Sequence, residues 1–367
     1  MRRDFKMKMI SVFHNKGGVG KTTLLYHVAC ALAEKGKKVL LIDLDPQSNL
    51  TLYGLDEERV QKIWFDEERY VNEGFPEGIN TLNSETNNDL LQSARSVHFL
   101  LKPVESGVDD YVKLPPPCNL SENLYLIPGS ITLSQFETVL ADRWSNPSDG
   151  DVLSIRTMTQ FRTISKRYSA EFGFDFVLVD VSPSLGLLNR AIVTTCDSFF
   201  MPVTPDLFSM YGIRNIGQSL KKWENSSIQI NNIKTRALRA LYPEDCVKFL
   251  GYTIYKAQQR EDQELGMVGA HRNYALRIPE EIAFWIPKLY VTEKNNDQIK
   301  ESIGKSSIWF THNTYPALAQ KYKCPIWNVP SKSLDAVDAS TVRLNKQRLL
   351  YTRSAYSTFT DDFLSRL

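Results

Sequence analysis

The 367-residue chain has five cysteines, Cys30, Cys118, Cys196, Cys246 and Cys324, and no two of them form a Cys-x-x-Cys pair. That lack excludes a zinc ribbon or a cluster held by paired thiolates, and reads as reduced, mostly buried thiols. Long apolar runs are missing too. No stretch approaches the ~18 residues of a membrane span, and Met1 to Lys8 carries charge without the apolar core of roughly 7–15 residues that a secretory signal needs. No membrane is expected, and a cytoplasmic protein is. Net charge is nearly absent, +2 from 44 Lys and Arg against 42 Asp and Glu, so any nucleic-acid or anionic-membrane partner needs a local patch. Internal repeats and low-complexity tracts are lacking as well, and 42% hydrophobic with 23% charged residues is the composition of an ordinary folded protein. At roughly 100–200 residues per domain, the length allows one large or two ordinary domains.

What is present is a rhythm of apolar runs. Met9–Phe13, Val39–Ile42, Leu124–Ile127, Phe176–Val179, Phe199–Val203 and Leu250–Tyr255 each read as a buried strand, separated mostly by helix-compatible stretches. The first such stretch, Thr22–Lys35, has apolar residues at helical spacing (Leu24, Leu25, Val28, Ala29, Leu32) and stops at Gly36. The alternation predicts an α/β fold with a doubly wound, mostly parallel sheet. Residues 51–110 break the rhythm: thirteen acidic residues against five basic ones give this stretch −8 and leave +10 for the rest. A stiff Lys113-Leu-Pro-Pro-Pro-Cys118 connector follows, and Ser145–Gly150 is a second patch rich in turn residues. Residues 51–122 are read as an acidic insertion or lid within a single domain spanning 1–367, with a C-terminal helical region over 331–367.

Asn15-Lys16-Gly17-Gly18-Val19-Gly20-Lys21-Thr22-Thr23 lies between the first strand and the first helix, the context a phosphate loop requires. Its glycines let successive N–H groups turn inward around phosphate oxygens at a helix N-terminus. Lys21 supplies a positive charge to the β and γ phosphates, and the Thr22 hydroxyl a ligand for Mg2+. Two carboxylates, Asp43 and Asp45, end the second strand on one side of it, at the edge where open α/β sheets bind ligands. Phe174–Asp180 is an apolar strand ending in a carboxylate, the arrangement with which a phosphate-loop protein holds Mg2+.

The loop departs from the G-x-x-x-x-G-K-[ST] pattern in having Asn15 at its first position, a residue that tolerates a left-handed conformation. With Lys16-Gly-Gly-Val-Gly-Lys-Thr-Thr23 it resembles the deviant Walker A family of ParA, Soj and MinD ATPases. So do Asp43-Leu-Asp45-Pro46-Gln47, the Asp180–Gly186 stretch with Ser182 in place of a proline, and Phe200–Asp206 followed by Gly212, with Asp206 where a glutamate is usual. Tyr315–Ile326 is similar to the family's penultimate helix and turn. The resemblance covers about 1–53, 123–136 and 160–330 and transfers no role to the insertion. It implies a phosphate-loop ATPase that binds and hydrolyses Mg-ATP, slowly when alone. Asn15 to Thr23 would form its nucleotide cradle, and Lys16 would reach across an ATP-sandwich homodimer to the partner's phosphates. Asp45 would orient the attacking water, and Asp43 would hold the magnesium shell through water, beside Thr22 and Asp180. Tyr255 and Lys256, by the same resemblance, are base contacts or, equally, core residues at a strand end. A protein activator and the partitioning of DNA or other cargo, with nucleoid association, are typical of the family.

Arg343, Lys346, Arg348 and Arg353 fall between Thr341 and Thr360 without an acidic residue, and helical spacing allows a shared face. ParA-like relatives bind nonspecific DNA through such residues. These four, with Arg260, Arg272 and Arg277, are therefore candidate DNA contacts that read equally as solvated faces. Phe359–Leu367 has apolar residues at helical spacing but carries Asp361 and Asp362, so it is expected to pack on the domain and not in a membrane. Two other readings remain open. One is an ATP-switch subunit of a larger assembly, with the acidic insertion as partner surface; the other is a synthetase of the same superfamily that uses ATP to activate a small molecule.

Overall fold

Each apolar run read from the sequence is a strand in the computed structural model, which describes residues 7–72, 88–144, 151–231, 240–242, 245–257, 269–292, 297–304, 309–310 and 315–367. Strands β1 (Lys8–Val12), β2 (Val39–Leu44), β3 (Cys118–Ser121), β4 (Leu124–Ile127), β5 (Phe176–Val181), β6 (Ser198–Val203), β7 (Lys248–Ala257) and β8 (Trp309–Phe310) form one sheet in the order β3-β4-β2-β5-β1-β6-β7-β8. Every pairing is parallel except that of β3 with β4. The doubly wound, mostly parallel sheet is thus present. The sequence reading missed β3 and β8. The first follows the proline-rich connector and turns into β4 through Asn123, whose φ of 61° is left-handed; the second is two residues long.

Strand alternation sorts the side chains of the sheet into two cores. Ile10, Val12, Leu41, Leu178 and Phe200 face one side, packed with Leu24, Val28 and Leu32 of α1 (Lys21–Glu34). Leu40, Ile42, Val177, Val179 and Phe199 face the other. Helices cover both faces, so β2, β5 and β6 are buried at every residue and appear in the sequence as unbroken apolar runs. The remaining helices are α2 (Asn49–Gly54), α3 (Glu57–Asn72), α4 (Asn88–Gln92), α5 (Val97–Glu105), α6 (Ser134–Trp144), α7 (Val152–Phe172), α8 (Leu187–Thr195), α9 (Leu207–Asn231), α10 (Gly269–Trp285), α11 (Tyr315–Lys321) and α12 (Ala336–Ser365). Among the described residues no helix is long and apolar enough to cross a membrane. α12 lies along α1: Tyr356 stacks on His27 with ring centroids 5.1 Å apart, and Phe359 and Phe363 pack on Phe200 of the sheet. Arg366 beyond it is buried, donates to the Leu250 carbonyl at 3.1 Å and pairs with Asp362 at 2.9 Å. The C-terminus is therefore a layer of the domain.

The acidic insertion is built into the same body. Phe99, Leu101 and Val104 of α5, with Tyr111 and Leu114, share a core with Leu40, Ile42, Phe161 and Tyr168. Basic residues of α6 and α7 meet its carbonyls and acids. Arg143 donates to the carbonyls of Val104 and Glu105, both at 2.6 Å, and Arg156 to that of Val108 at 2.9 Å. Asp110 lies 3.6 Å from Arg156 and 3.9 Å from Arg167. The negative charge of Asp110 is thus matched from within the body. Its residues 73–87, like the turn-rich Ser145–Gly150, lie outside the described residues.

On α3, Glu67 is buried and accepts hydrogen bonds from the Ser96 N–H at 2.9 Å and from the Ser96 hydroxyl. Burial pushes its carboxyl up to about 7 against the opposing pull of those hydrogen bonds. The folded-state pKa therefore lies above the unfolded one. The resulting stability is fully present below the ordinary glutamate range and is lost as pH rises through about 7. Thermal melts taken from about pH 5 to about pH 8 should show the wild type losing stability relative to Glu67→Gln as the pH rises. Parallel curves for the two proteins would contradict the assignment.

Candidate functional site

The carboxyl ends of β2, β5 and β1 lie side by side in the middle of the sheet. Parallel register places Asp43 beside Asp180, and Asp180 beside Val12, the last strand residue before the phosphate loop. The chain then turns back into α1 with Gly18 at φ 74° and Gly20 at φ 87°. At Gly20 a side chain is excluded twice, by the left-handed backbone and because a Cβ there would lie 2.1 Å from the ring of Tyr255. Tyr255 itself is 1% exposed. It is enclosed beneath the loop, so of the two readings left open for it the structure agrees with the core place, from which its ring supports the loop. Lys256, left-handed at φ 58°, turns toward the loop as well, and its Nζ donates to the Gly18 carbonyl at 2.9 Å.

Inside the loop, His14 Nδ1 accepts from the Lys16 N–H at 2.9 Å. Burial, aided by the charges of Lys21 and Lys16, holds His14 down to about 3, so the ring is neutral and carries its proton on Nε2. Gly212 of α9 lets that helix approach: a Cβ there would lie 2.4 Å from His14 Cε1 and 2.9 Å from Asn15 Oδ1. Lys21 is buried at the start of α1, 3.4 Å from the Lys16 carbonyl. Its burial lowers the ammonium's pKa, opposed by the charges of Asp180 and Asp45. Val19 is fully buried, and the Thr23 hydroxyl lies 2.9 Å from that of Tyr53.

The acids are arranged around this lysine. Thr22 donates to Asp180 Oδ2 at 2.6 Å, while Asp180 Oδ1 is buried with no hydrogen-bond partner among the described residues. Asp43 Oδ2 accepts from both the N–H and the hydroxyl of Thr51 at 2.7 Å, and its Oδ1 accepts from the Asp45 N–H at 3.2 Å. Asp45 is 5% exposed and accepts from the Gln47 N–H at 2.9 Å. Burial pushes Asp43 and Asp180 above the usual carboxylate range, and the nearness of another carboxylate adds to it. Among the described residues no three His, Cys, Asp or Glu side chains are grouped to hold a metal ion alone. The orphaned Asp180 oxygen and the Thr22 hydroxyl do suit a magnesium ion that takes its other ligands from phosphate and water. Asp43, with both oxygens committed, fits a place behind that pair.

Lys16 is held in its own chain. Its Nζ donates to Thr204 Oγ1 at 2.9 Å and pairs with the Asp206 carboxylate. Against the upward push of partial burial, the hydrogen bonds from Lys16 and Thr204 keep Asp206 below the usual range. Ser182, which replaces a proline of the resemblance, leaves the loop after β5 pinned, because the Asn189 amide donates to the carbonyls of Ser182 and Ser184 at 2.7 and 2.8 Å. Thr51, His14 and Asn189 carry no motif, and sequence reasoning gave no role to them or to Thr204 within the Phe200–Asp206 stretch. Of the basic residues considered for DNA, Arg343, Lys346 and Arg348 are exposed on α12. Arg353 is committed to Glu34 at 2.9 Å and Arg277 to Glu281 at 3.2 Å, so four basic residues of α12 do not form one unpaired stripe. Arg272 lies on α10, and Arg260 lies outside the described residues.

A family model described as an AAA domain matches residues 7–233. The sporulation initiation inhibitor protein Soj of Bacillus subtilis is 26% identical over 237 residues, 64% of this chain and 74% of its own length. Among solved structures, McdA of Cyanothece in complex with ATP superposes with a TM-score of 0.55 at 16% identity, covering 97% of this chain and 96% of its own. The ParA of pNOB8 bound to nonspecific DNA gives 0.52 at 15% identity, covering 98% of each chain. These structural likenesses are of fold. Within this chain, Thr51 is the residue that holds Asp43 with two donors. Thr51→Val removes the hydroxyl shared by Asp43 and the Gly129 N–H, which now lies 2.7 Å from it. Unfolding free energy should fall by about 1–3 kcal/mol, and nucleotide affinity with it; denaturant titration and nucleotide binding both unchanged would contradict this.

Proposed function

The chain belongs to the AAA-domain family whose model it matches, as a phosphate-loop ATPase of the ParA/Soj type, and from that premise we propose that it works as an ATP-driven switch. Mg-ATP binding closes a homodimer, hydrolysis opens it, and a partner protein sets the rate. The loop N–H groups and Lys21 hold the β and γ phosphates, and Thr22 with Asp180 holds magnesium. A magnesium ion held by Thr22 and Asp180 would offset the charge that builds on the phosphates during transfer. Asp45 orients the attacking water from its nearly enclosed position, and Asp43 fixes Asp45 by accepting its N–H.

The observation that carries this reading is the position of Lys16. It stands at the mouth of the loop on Asp206, with Phe208 and Tyr211 exposed by 72% and 55% on the helix that follows. An exposed apolar surface beside a tethered cation suits a face that a second copy covers, and transfer of Lys16 from Asp206 to the partner's phosphates supplies a charge in trans. Partitioning of DNA or other cargo over nonspecific DNA is the output that the ParA likeness supports, with Arg343, Lys346 and Arg348 as candidate contacts. A second reading, an ATP-switch subunit of a larger assembly with the acidic insertion as partner surface, is favoured by Phe65 of α3, which is 78% exposed.

Sedimentation with ADP and with a nonhydrolysable ATP analogue, each with and without nonspecific DNA, tests the proposal. Dimers with the analogue alone, and DNA co-sedimentation of those dimers, are expected; an ATP-independent monomer that ignores DNA would sink the partitioning reading. Lys16→Ala should stay monomeric and lose turnover on the order of 10³-fold, as removal of a charge supplied in trans does. Asp206→Asn frees Lys16 and should lower the analogue concentration needed for dimerisation several-fold; an unchanged or raised requirement would show that the pair does not restrain dimerisation.

A further inference from the structure

His14, the residue just before the phosphate loop, is fully buried and unevenly paired. Its Nδ1 accepts from the Lys16 N–H at 2.9 Å, while its Nε2 is buried with no hydrogen-bond partner among the described residues. Helix α9 backs the ring, since a Cβ on Gly212 would lie 2.4 Å from its Cε1 and 3.1 Å from its Nε2. The imidazole is therefore held between α9 and the amide of Lys16.

For stability alone this side chain has little to offer. One nitrogen makes an ordinary hydrogen bond and the other leaves a buried N–H unpaired, a cost at least as large as the return on the first. An apolar side chain of similar volume would give up the bond and remove the unpaired donor, so the net change in stability is small. What the histidine supplies is a fixed place for Lys16. That residue is registered on α9 at two points. Its Nζ donates to Thr204 Oγ1 at 2.9 Å and pairs with Asp206, which in turn accepts from the Ser209 N–H at 2.9 Å in the first turn of α9. Its backbone reaches the same helix through His14 and Gly212. A neutral acceptor suits the position. Burial and the charges of Lys21 and Lys16, against that of Asp206, keep the ring uncharged with a lone pair for the amide, whereas a carboxylate there would bind the Lys16 ammonium itself.

We propose that His14 is a positioning residue for Lys16: by fixing the Lys16 amide against α9, it sets the point from which the side chain swings between Asp206 and the phosphates of a second copy. With the backbone already placed, the swing orders only side-chain rotamers, and the ammonium arrives on a defined arc. The swing rests on the switch reading above; the fixing of the amide does not.

Two substitutions separate positioning from packing. His14→Leu removes the acceptor and keeps most of the volume. His14→Asn loses volume and keeps an acceptor, because asparagine side chains bond the backbone N–H two residues on. Stability and activity should therefore diverge. His14→Leu should melt within about 3 °C of wild type and bind ADP within about threefold, yet lose dimerisation with the nonhydrolysable analogue and about tenfold or more in ATP turnover. His14→Asn should melt earlier and recover most of the turnover that His14→Leu loses. Selective isotope labelling of lysine amides adds a readout independent of activity. The Lys16 amide, identified as the signal missing from Lys16→Ala, should exchange with solvent about tenfold faster in His14→Leu than in wild type or His14→Asn.

Equal exchange in all of them would overturn the positioning. So would a His14→Leu protein that dimerises and hydrolyses ATP like wild type, or variants whose activity falls in step with their melting temperature. A loss of ADP binding in His14→Leu as large as its loss of turnover would overturn it too, by making the ring a support of loop shape. Amide exchange as expected, in a protein whose Lys16→Ala variant still dimerises and hydrolyses ATP, would refute the switch reading and with it the swing, while the fixing of the amide stands.

Discussion

Asp43 and Asp180 are fully buried next to each other at the ends of two neighbouring strands. Two carboxylates so placed are costly to ionise and costly to leave unpaired, and the site is the set of contacts that compensates them. Lys21 supplies the opposite charge from the helix start, Thr22 occupies one oxygen of Asp180, and Thr51 supplies two donors to one oxygen of Asp43. What remains is one buried oxygen of Asp180 without a partner in the described chain. That residual demand, beside a loop turned by Gly18 and Gly20 at the start of α1, suits a cation and phosphate together.

The same constraint ties the insertion to the site. Thr51 is the first residue of the acidic stretch, and its hydroxyl connects Asp43 with Gly129. Trp64 on α3 closes on the Gly129 carbonyl, and α5 completes the core beneath β2. A segment that the family resemblance leaves without a role is thus part of the shell that keeps the acids in place. One of its charges, that of Asp110, is matched by Arg156 and Arg167, so the −8 read from the sequence overstates the field that it presents to solvent.

The strands were legible because parallel strands covered on both faces leave unbroken apolar runs. The loop was legible because glycine and lysine at fixed spacing have few other uses. β3 escaped because a four-residue edge strand after three prolines has no pattern of its own. For Tyr255 and Lys256 the sequence left a base contact and a core place equally open, because position on a strand near the site says nothing about whether a side chain opens to a ligand or fills the space under the loop. Arg353 shows the same limit, since its salt bridge to Glu34 spans more than three hundred residues of sequence.

By itself, the sequence determined six of the strands, the first helix, the phosphate loop and the acids at the strand ends, since each of these is a local pattern of residue type and spacing. Only the tertiary structure decided which donors hold those acids, that Lys16 rests on Asp206, that Tyr255 supports the loop from below and that the acidic insertion is a structural layer. Each of those outcomes is a contact between distant residues, fixed by the register of β2, β5 and β1 and by the helices packed over them.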